Sequence, residues 1–225
     1  MVLVAAGQGT RLGGRTPKQY RPLRGVPLLL HSLRHFTGHP DVREVAVVLP
    51  PGDAAAPPAF LREAAGGAVR LVEGGAARYD SVAAGLAALD RSCAVVLVHD
   101  AARPFVSRDV IDAVIAHARR GDGAIAAVPL SDTLKEAAED DGTRIARTIP
   151  RERLWRAHTP QGFPRELLAT AHEAARQRGL TPTDDAMLVE SQGGIVRLVP
   201  DTPRNLKITT AEDFDLAERL ADEAR

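Results

Sequence analysis

Cysteine is nearly missing from this chain. Cys93 stands alone among 225 residues, which excludes an internal disulfide and fits a reducing compartment such as the cytoplasm. Its place in the apolar run from Cys93 to Val98 predicts a buried strand residue. An excess of charge is missing too. Lys+Arg and Asp+Glu balance at 29 each, for a formal net charge of +0, so no global field draws in nucleic acid or anionic lipid, and any anion site has to be a local cluster. No apolar stretch approaches membrane-spanning length, and the apolar start has neither the basic flank nor the cleavage pattern of a signal peptide. A soluble protein without nucleic-acid or membrane partners is expected.

Lysine is the most informative scarcity. Only Lys18, Lys135 and Lys207 stand among the 29 basic residues; arginine serves wherever a generic cation will do. Lysine offers a compact ammonium that sits on a phosphate oxygen as a point charge, where arginine imposes a planar fork. Lys18 and Lys207 fall in predicted loops or at short strand ends, which makes them candidates for such a contact.

Two familiar glycine motifs are absent as well. The start of the chain runs from the apolar Val2-Leu3-Val4-Ala5-Ala6 into Gly7-Gln8-Gly9-Thr10-Arg11-Leu12-Gly13 and then Pro17-Lys18-Gln19-Tyr20. In the dinucleotide fingerprint the third glycine would fall at Leu12, and the second strand ends in Pro50-Pro51 rather than in an acid for a ribose hydroxyl. The Walker triplet Gly-Lys-Ser/Thr occurs nowhere in the chain. What is present is a buried strand opening into closely spaced glycines, whose backbone N–H groups approach an anion that a Cβ would hold off, followed by the cations Arg11 and Lys18.

Along the remaining length, short Val/Leu/Ile runs alternate with segments at helical spacing. That pattern predicts an α/β fold: a Rossmann-like, mostly parallel sheet with helices on both faces, in one domain over residues 1–225. Strands are expected at 2–6, 44–49, 69–72, 94–98, 123–128 and 195–199, and helices at 27–37, 59–65, 79–90, 107–119, 164–178, 184–191 and 211–223. Ser107 and Thr210 are the expected N-caps. Residues 131–149 break the alternation. Two limbs separated by Asp141-Gly142 predict a hairpin, and a hairpin inserted between strand and helix is a protruding β-arm suited to dimerisation.

Chemistry gathers where strands should end. His99-Asp100-Ala101-Ala102-Arg103-Pro104 closes the fourth strand, and ligands in open α/β sheets bind beyond the carboxyl ends of strands. Gly74-Gly75 through Asp80-Ser81 opens a helix and supplies free N–H groups and a hydroxyl.

These segments, with Thr159-Pro160-Gln161 and Asn205-Leu206-Lys207-Ile208-Thr209, resemble in order and over essentially the whole chain the 2-C-methyl-D-erythritol 4-phosphate cytidylyltransferases. The resemblance implies transfer of CMP from CTP to methylerythritol phosphate, with Mg²⁺ as cofactor, in a homodimer whose β-arm is the hairpin at 131–149. It implies that Arg11 and Lys18 stabilise the transition state at the α-phosphate, and that Arg151 and Lys207 position the second substrate. Ala6, Gly7, Gly9, Gly75, Ser81 and Asp100 would take the nucleotide. Arg103, Thr133, Thr159 and Thr183 would take the polyol phosphate, with Thr133 and Arg151 reaching across the dimer. Asp100 is the one candidate metal ligand. Where that family often carries an acid after the paired glycines, this chain has Ala76, which leaves only backbone contacts there. Ribitol 5-phosphate as acceptor, and a nucleotide-binding module without catalysis, stay open as alternatives.

Overall fold

The computed structural model describes residues 1–7 and 16–223. A seven-stranded sheet carries the fold, in the order β11-β7-β10-β6-β1-β4-β5. Its strands are β1 (Val2–Val4), β4 (Val45–Leu49), β5 (Val69–Glu73), β6 (Val95–Asp100), β7 (Gly123–Pro129), β10 (Trp155–Pro164) and β11 (Val196–Pro200). Two short strands, β2 (Pro22–Leu23) and β3 (Val26–Pro27), form a separate ribbon, and β8 (Leu134–Ala137) pairs with β9 (Ile145–Ile149) as the expected hairpin. The helices are α1 (Leu28–Thr37), α2 (Ala59–Ala64), α3 (Arg78–Ala88), α4 (Arg108–Arg119), α5 (Arg165–Arg178), α6 (Asp185–Glu190) and α7 (Ala211–Glu223). All six expected strands and all seven helices form.

Alternation along the strands assigns each helix to a face. Leu3, Val47, Leu49 and Leu97 pack with Leu33 and Phe36 of α1, Leu61 of α2 and Ile111 and Val114 of α4. Their neighbours Val2, Ala46, Val48, Val96 and Val98 point the other way, onto Val82 and Leu86 of α3, Leu168 and Ala171 of α5 and Leu188 and Val189 of α6. Strands buried on both faces read as continuous apolar runs, which is why the sequence shows them so clearly. Helix α7 covers the β2–β3 ribbon, with Leu23, Leu28, Ile208 and Ala217 buried between them. Ser107 caps α4 by accepting the Val110 N–H, and Thr210 and Asp213 cap α7 reciprocally. Arg165 is buried at the start of α5 and donates to the carbonyls of Leu86, Leu89 and Asp90, closing the end of α3. Cys93 lies just ahead of β6 rather than within it, half-buried, with its Sγ 3.6 Å from the Glu44 carboxylate.

Strand β10 is the element the sequence pattern does not announce. It runs antiparallel between β6 and β7, the only antiparallel member of this sheet among the described residues. Its pairing with β7 breaks register between Ala157 and Gln161, around the cis Thr159–Pro160 peptide. A Cβ on Gly162 would stand 2.5 Å from a Val114 methyl and 2.8 Å from a Leu97 methyl, so only glycine lets α4 seat this closely.

The bulge aims Thr159 at the end of β6. The Asp100 N–H donates to its Oγ1 at 3.0 Å, and that hydroxyl donates to His99 Nδ1, also at 3.0 Å. His99 Nε2 then donates to the Arg103 carbonyl at 3.0 Å. This pattern is that of a neutral imidazole. Burial, countered in part by the Arg103 carbonyl and Asp100, pushes its pKa down to about 4. An unfolded histidine binds its proton near pH 6.5, so between there and about pH 4 the unfolded chain holds a proton that the folded one does not, and stability falls as pH falls, by up to about 3 kcal/mol. Urea denaturation at pH 7 and pH 5 is expected to show about 2 kcal/mol of that loss, and His99→Gln to reduce it; an equal loss in the variant would remove His99 as its source.

Candidate active site

The carboxyl ends of β1, β4, β5 and β6 open onto a cleft of about 420 Å³. Ala6, Gly7, Lys18, Gly75, Ser81, Asp100 and Lys207 all line it, which brings Lys207, expected on the side of the second substrate, together with residues expected for the nucleotide. A smaller recess of about 210 Å³ shares Arg78, Asp100 and Lys207 with it and adds Arg103, Thr159 and Thr183. Gly9 and Arg11 lie outside the described residues. Thr133 and Arg151 line neither space. They sit at the base of the hairpin, both exposed, and the Arg151 guanidinium bonds the Ser131 carbonyl.

Close approach explains the paired glycines. A Cβ on Gly74 would meet the Ala6 methyl at 2.5 Å and Ser81 Oγ at 2.8 Å, and one on Gly75 would meet Asp80 Cβ at 2.2 Å. Without side chains there, the turn after β5 folds down onto the loop after β1 and onto the first turn of α3. Asp80 accepts the Ala77 N–H at 3.0 Å and so fixes the helix start. Ser81 is buried and donates to the Ala77 carbonyl.

Two of the three lysines converge on the cleft. Lys18, on a single 3-10 turn over Lys18–Tyr20, donates to the Ile208 carbonyl at 3.0 Å. The adjacent Lys207 places its Nζ 2.6 Å from Asp100 Oδ2. The third, Lys135, stays on the hairpin and donates to Thr148 Oγ1.

Asp100 is the electrostatic centre. Its other oxygen, Oδ1, lies 3.3 Å from Arg78 Nε, and Arg78 reaches onward to Asp185 Oδ2 at 2.7 Å. Burial opposes the ionised form of Asp100, but the charges of Arg78 and Lys207 outweigh it and hold the carboxyl well below the usual carboxylate range. Burial likewise works against the Arg78 charge, and the two carboxylates overcome it, raising the pKa further. Arg103, buried, donates to the Asn205 carbonyl at 2.6 Å while its Nε finds no partner; burial lowers its pKa. Asn205 is itself fully buried and ties the Lys207 segment down through Thr159 O and Asp201.

Among the described residues, those around the cleft do not build a dedicated magnesium site. Asp100 is the one carboxylate lining it among the described residues, and cations face both of its oxygens. A cluster of His39, Asp41 and Asp112 lies elsewhere, between the end of α1 and α4, with Arg119 already bonded to Asp41.

Arg78, Asp185, His172 and Gln161 were not singled out by the sequence. Gln161 Oε1 accepts the N–H groups of Asp185 and Ala186, and its amide donates to Asp184, pinning the start of α6 beside the smaller recess. Arg78 and Gln161 sit inside motifs that were recognised, so their positions were visible although their roles were not.

Comparison with known proteins follows the same lines. The family model for 2-C-methyl-D-erythritol 4-phosphate cytidylyltransferase (IspD) matches residues 1–223. A protein of that name from Symbiobacterium thermophilum is 42% identical over 223 residues, covering 99% of this chain and 92% of its own length. The bifunctional enzyme IspD/IspF of Rhodospirillum rubrum is 47% identical over 97% of this chain, which spans 56% of that protein. Among solved structures, the cytidylyltransferase of Thermus thermophilus superposes with a TM-score of 0.81 at 40% identity, covering 99% of this chain and 98% of that one. The 4-diphosphocytidyl-2C-methyl-D-erythritol synthase of Anaerococcus prevotii gives a TM-score of 0.85 at 29% identity, covering 98% and 94%. The chain belongs to the 2-C-methyl-D-erythritol 4-phosphate cytidylyltransferase family.

Proposed function

We propose that the larger cleft takes CTP and the smaller recess takes the phosphate end of 2-C-methyl-D-erythritol 4-phosphate, so that the wall they share is where CMP is transferred. The activity itself is that of the family: a cytidylyltransferase of non-mevalonate isoprenoid synthesis, releasing 4-diphosphocytidyl-2-C-methyl-D-erythritol and pyrophosphate. The observation that carries the assignment of the two spaces is the placing of Lys18 in the cleft and of Lys207 at the seam. A phosphate oxygen of the polyol phosphate attacks the α-phosphorus, the bond to the bridging oxygen breaks, and pyrophosphate leaves. Both reactants are anions, and their repulsion in a partly dried cleft is offset by fixed cations. The attacking oxygen is already deprotonated at neutral pH, so alignment and charge stabilisation do the chemistry and no general base is required.

Lys18 lies on the nucleotide side, and Arg11 is its expected companion. Lys207 and Arg103 face the recess for the second anion. With Asp100 engaged by two cations, magnesium would be carried by the nucleotide's own phosphates and water, and it would supply positive charge at the triphosphate. The arm works in a homodimer: Leu134 and Ile145 are exposed on it at 38% and 58%, and its base carries Thr133 and Arg151, which complete the partner's recess. A chain with one half-buried cysteine and no disulfide suits the cytoplasm.

Pyrophosphate release with CTP and methylerythritol phosphate is the direct test. Turnover with ribitol 5-phosphate in preference, or with no polyol phosphate at all, would sink the substrate assignment. Lys18→Ala is expected to lower kcat by about a hundredfold or more, since it removes charge stabilisation made in the transition state. Lys207→Ala is expected to raise KM for the polyol phosphate chiefly, and an unaltered KM would take Lys207 out of that recess. Sedimentation of Ile145→Asp should show monomers with reduced activity beside a dimeric parent; an intact dimer would detach the arm from assembly.

A further inference from the structure

Arg78 belongs to both spaces, yet its side chain is held by the protein from behind. Its Nε faces Asp100 Oδ1 at 3.3 Å, while its NH1 is bonded to Asp185 Oδ2 at 2.7 Å. Asp185 is 1% exposed and receives the His172 Nε2 proton on its other oxygen at 3.0 Å. The His172 ring stacks on Tyr79, the residue after Arg78, with centroids 4.9 Å apart and planes at 10°. The Tyr79 hydroxyl closes the loop by donating to the His172 carbonyl at 2.7 Å. Elements α3, α5 and α6 thus clamp one guanidinium.

Lys207 is placed differently. Its side chain is 39% exposed, against 10% for the Asp100 side chain it pairs with and 27% for Arg78. Two cations share one carboxylate, one clamped and one at the open edge. A buried carboxylate deprived of its partner is strongly destabilised, whereas one that keeps a bonded guanidinium is not.

We infer that Lys207 works by exchange, leaving Asp100 for a phosphate oxygen of the incoming polyol phosphate, and that Arg78, clamped by Asp185 and His172, is the positioning residue that makes the exchange possible. Without Arg78, Asp100 would retain Lys207 as its main counter-ion, and the substrate phosphate would have to compete for it. The clamp serves a second purpose: it keeps Arg78 from being drawn off Asp100 by the same phosphates. Asp100 is then a depot for the mobile cation as much as a wall of the nucleotide cleft. This rests on the reading that the smaller recess takes the polyol phosphate.

The test is steady-state kinetics on the full-length enzyme with CTP and methylerythritol phosphate. Arg78→Gln should raise KM for the polyol phosphate by about tenfold or more while kcat at saturation changes less, because saturating substrate wins the competition. Arg78→Lys, which keeps the charge but meets only one of the two carboxylates, should fall between parent and Arg78→Gln. In the Lys207→Ala background, where there is no cation to exchange, replacing Arg78 should add little to that KM. Additive effects in the double variant, or equal losses of kcat in all Arg78 variants with KM unmoved, would overturn the exchange. Arg78→Gln leaves two acids under-compensated; if it does not fold, Arg78→Lys alone and combined with Lys207→Ala carries the same comparison. A parent enzyme inactive on methylerythritol phosphate would instead defeat the substrate reading, and Lys207→Ala with a normal KM would defeat the placement of Lys207.

Discussion

One carboxylate, buried at the end of a central strand between two cations, organises this molecule's working end. Asp100 closes β6, donates its backbone N–H to the Thr159 hydroxyl of β10, and meets Arg78 from α3 and Lys207 from the segment after β11. Opposite unit charges about 4 Å apart attract by about 4 kcal/mol at the effective dielectric of a protein surface. Together the two partners outweigh the desolvation of Asp100. The helices and loops that carry the cations are in turn fixed by what surrounds them: the glycine pair for α3, and Asn205 for the Lys207 segment.

Much of this was legible from residue order. Strands buried on both faces leave unbroken Val/Leu/Ile runs, and the two lysines that reach the cleft stood out because lysine is rare here. The same rarity hid Arg78. In a chain whose cations are nearly all arginine, one more arginine in a glycine-rich turn carries no signal, and only coordinates show it wedged between two acids. Asp185 was hidden for another reason, since an acid at a helix start has an ordinary explanation in capping.

Strand β10 shows where pattern reading fails on physical grounds. Its stretch from Trp155 to Phe163 mixes Arg156, His158, Thr159 and Gln161 with a proline, and proline argues against a central strand. Yet the strand is central. Pro160 falls where the pairing with β7 is out of register, so no ladder bond is forfeited, and the polar residues are spent on His99, Asp201 and the start of α6. The strand sacrifices apolar regularity to furnish one wall of the smaller recess.

That the two recesses have Arg78, Asp100 and Lys207 in common has a thermodynamic consequence. With CTP in one space and the polyol phosphate in the other, as proposed above, each ligand meets a wall that the other also touches, and any coupling between the two substrates runs through that shared wall. Linkage of this kind is reciprocal: whatever factor CTP imposes on the affinity for the polyol phosphate, the polyol phosphate imposes on the affinity for CTP. A fold with separate walls would let each site evolve its affinity alone; a shared wall makes the affinities a joint property, and a substitution meant to improve one substrate's hold is read at once by the other.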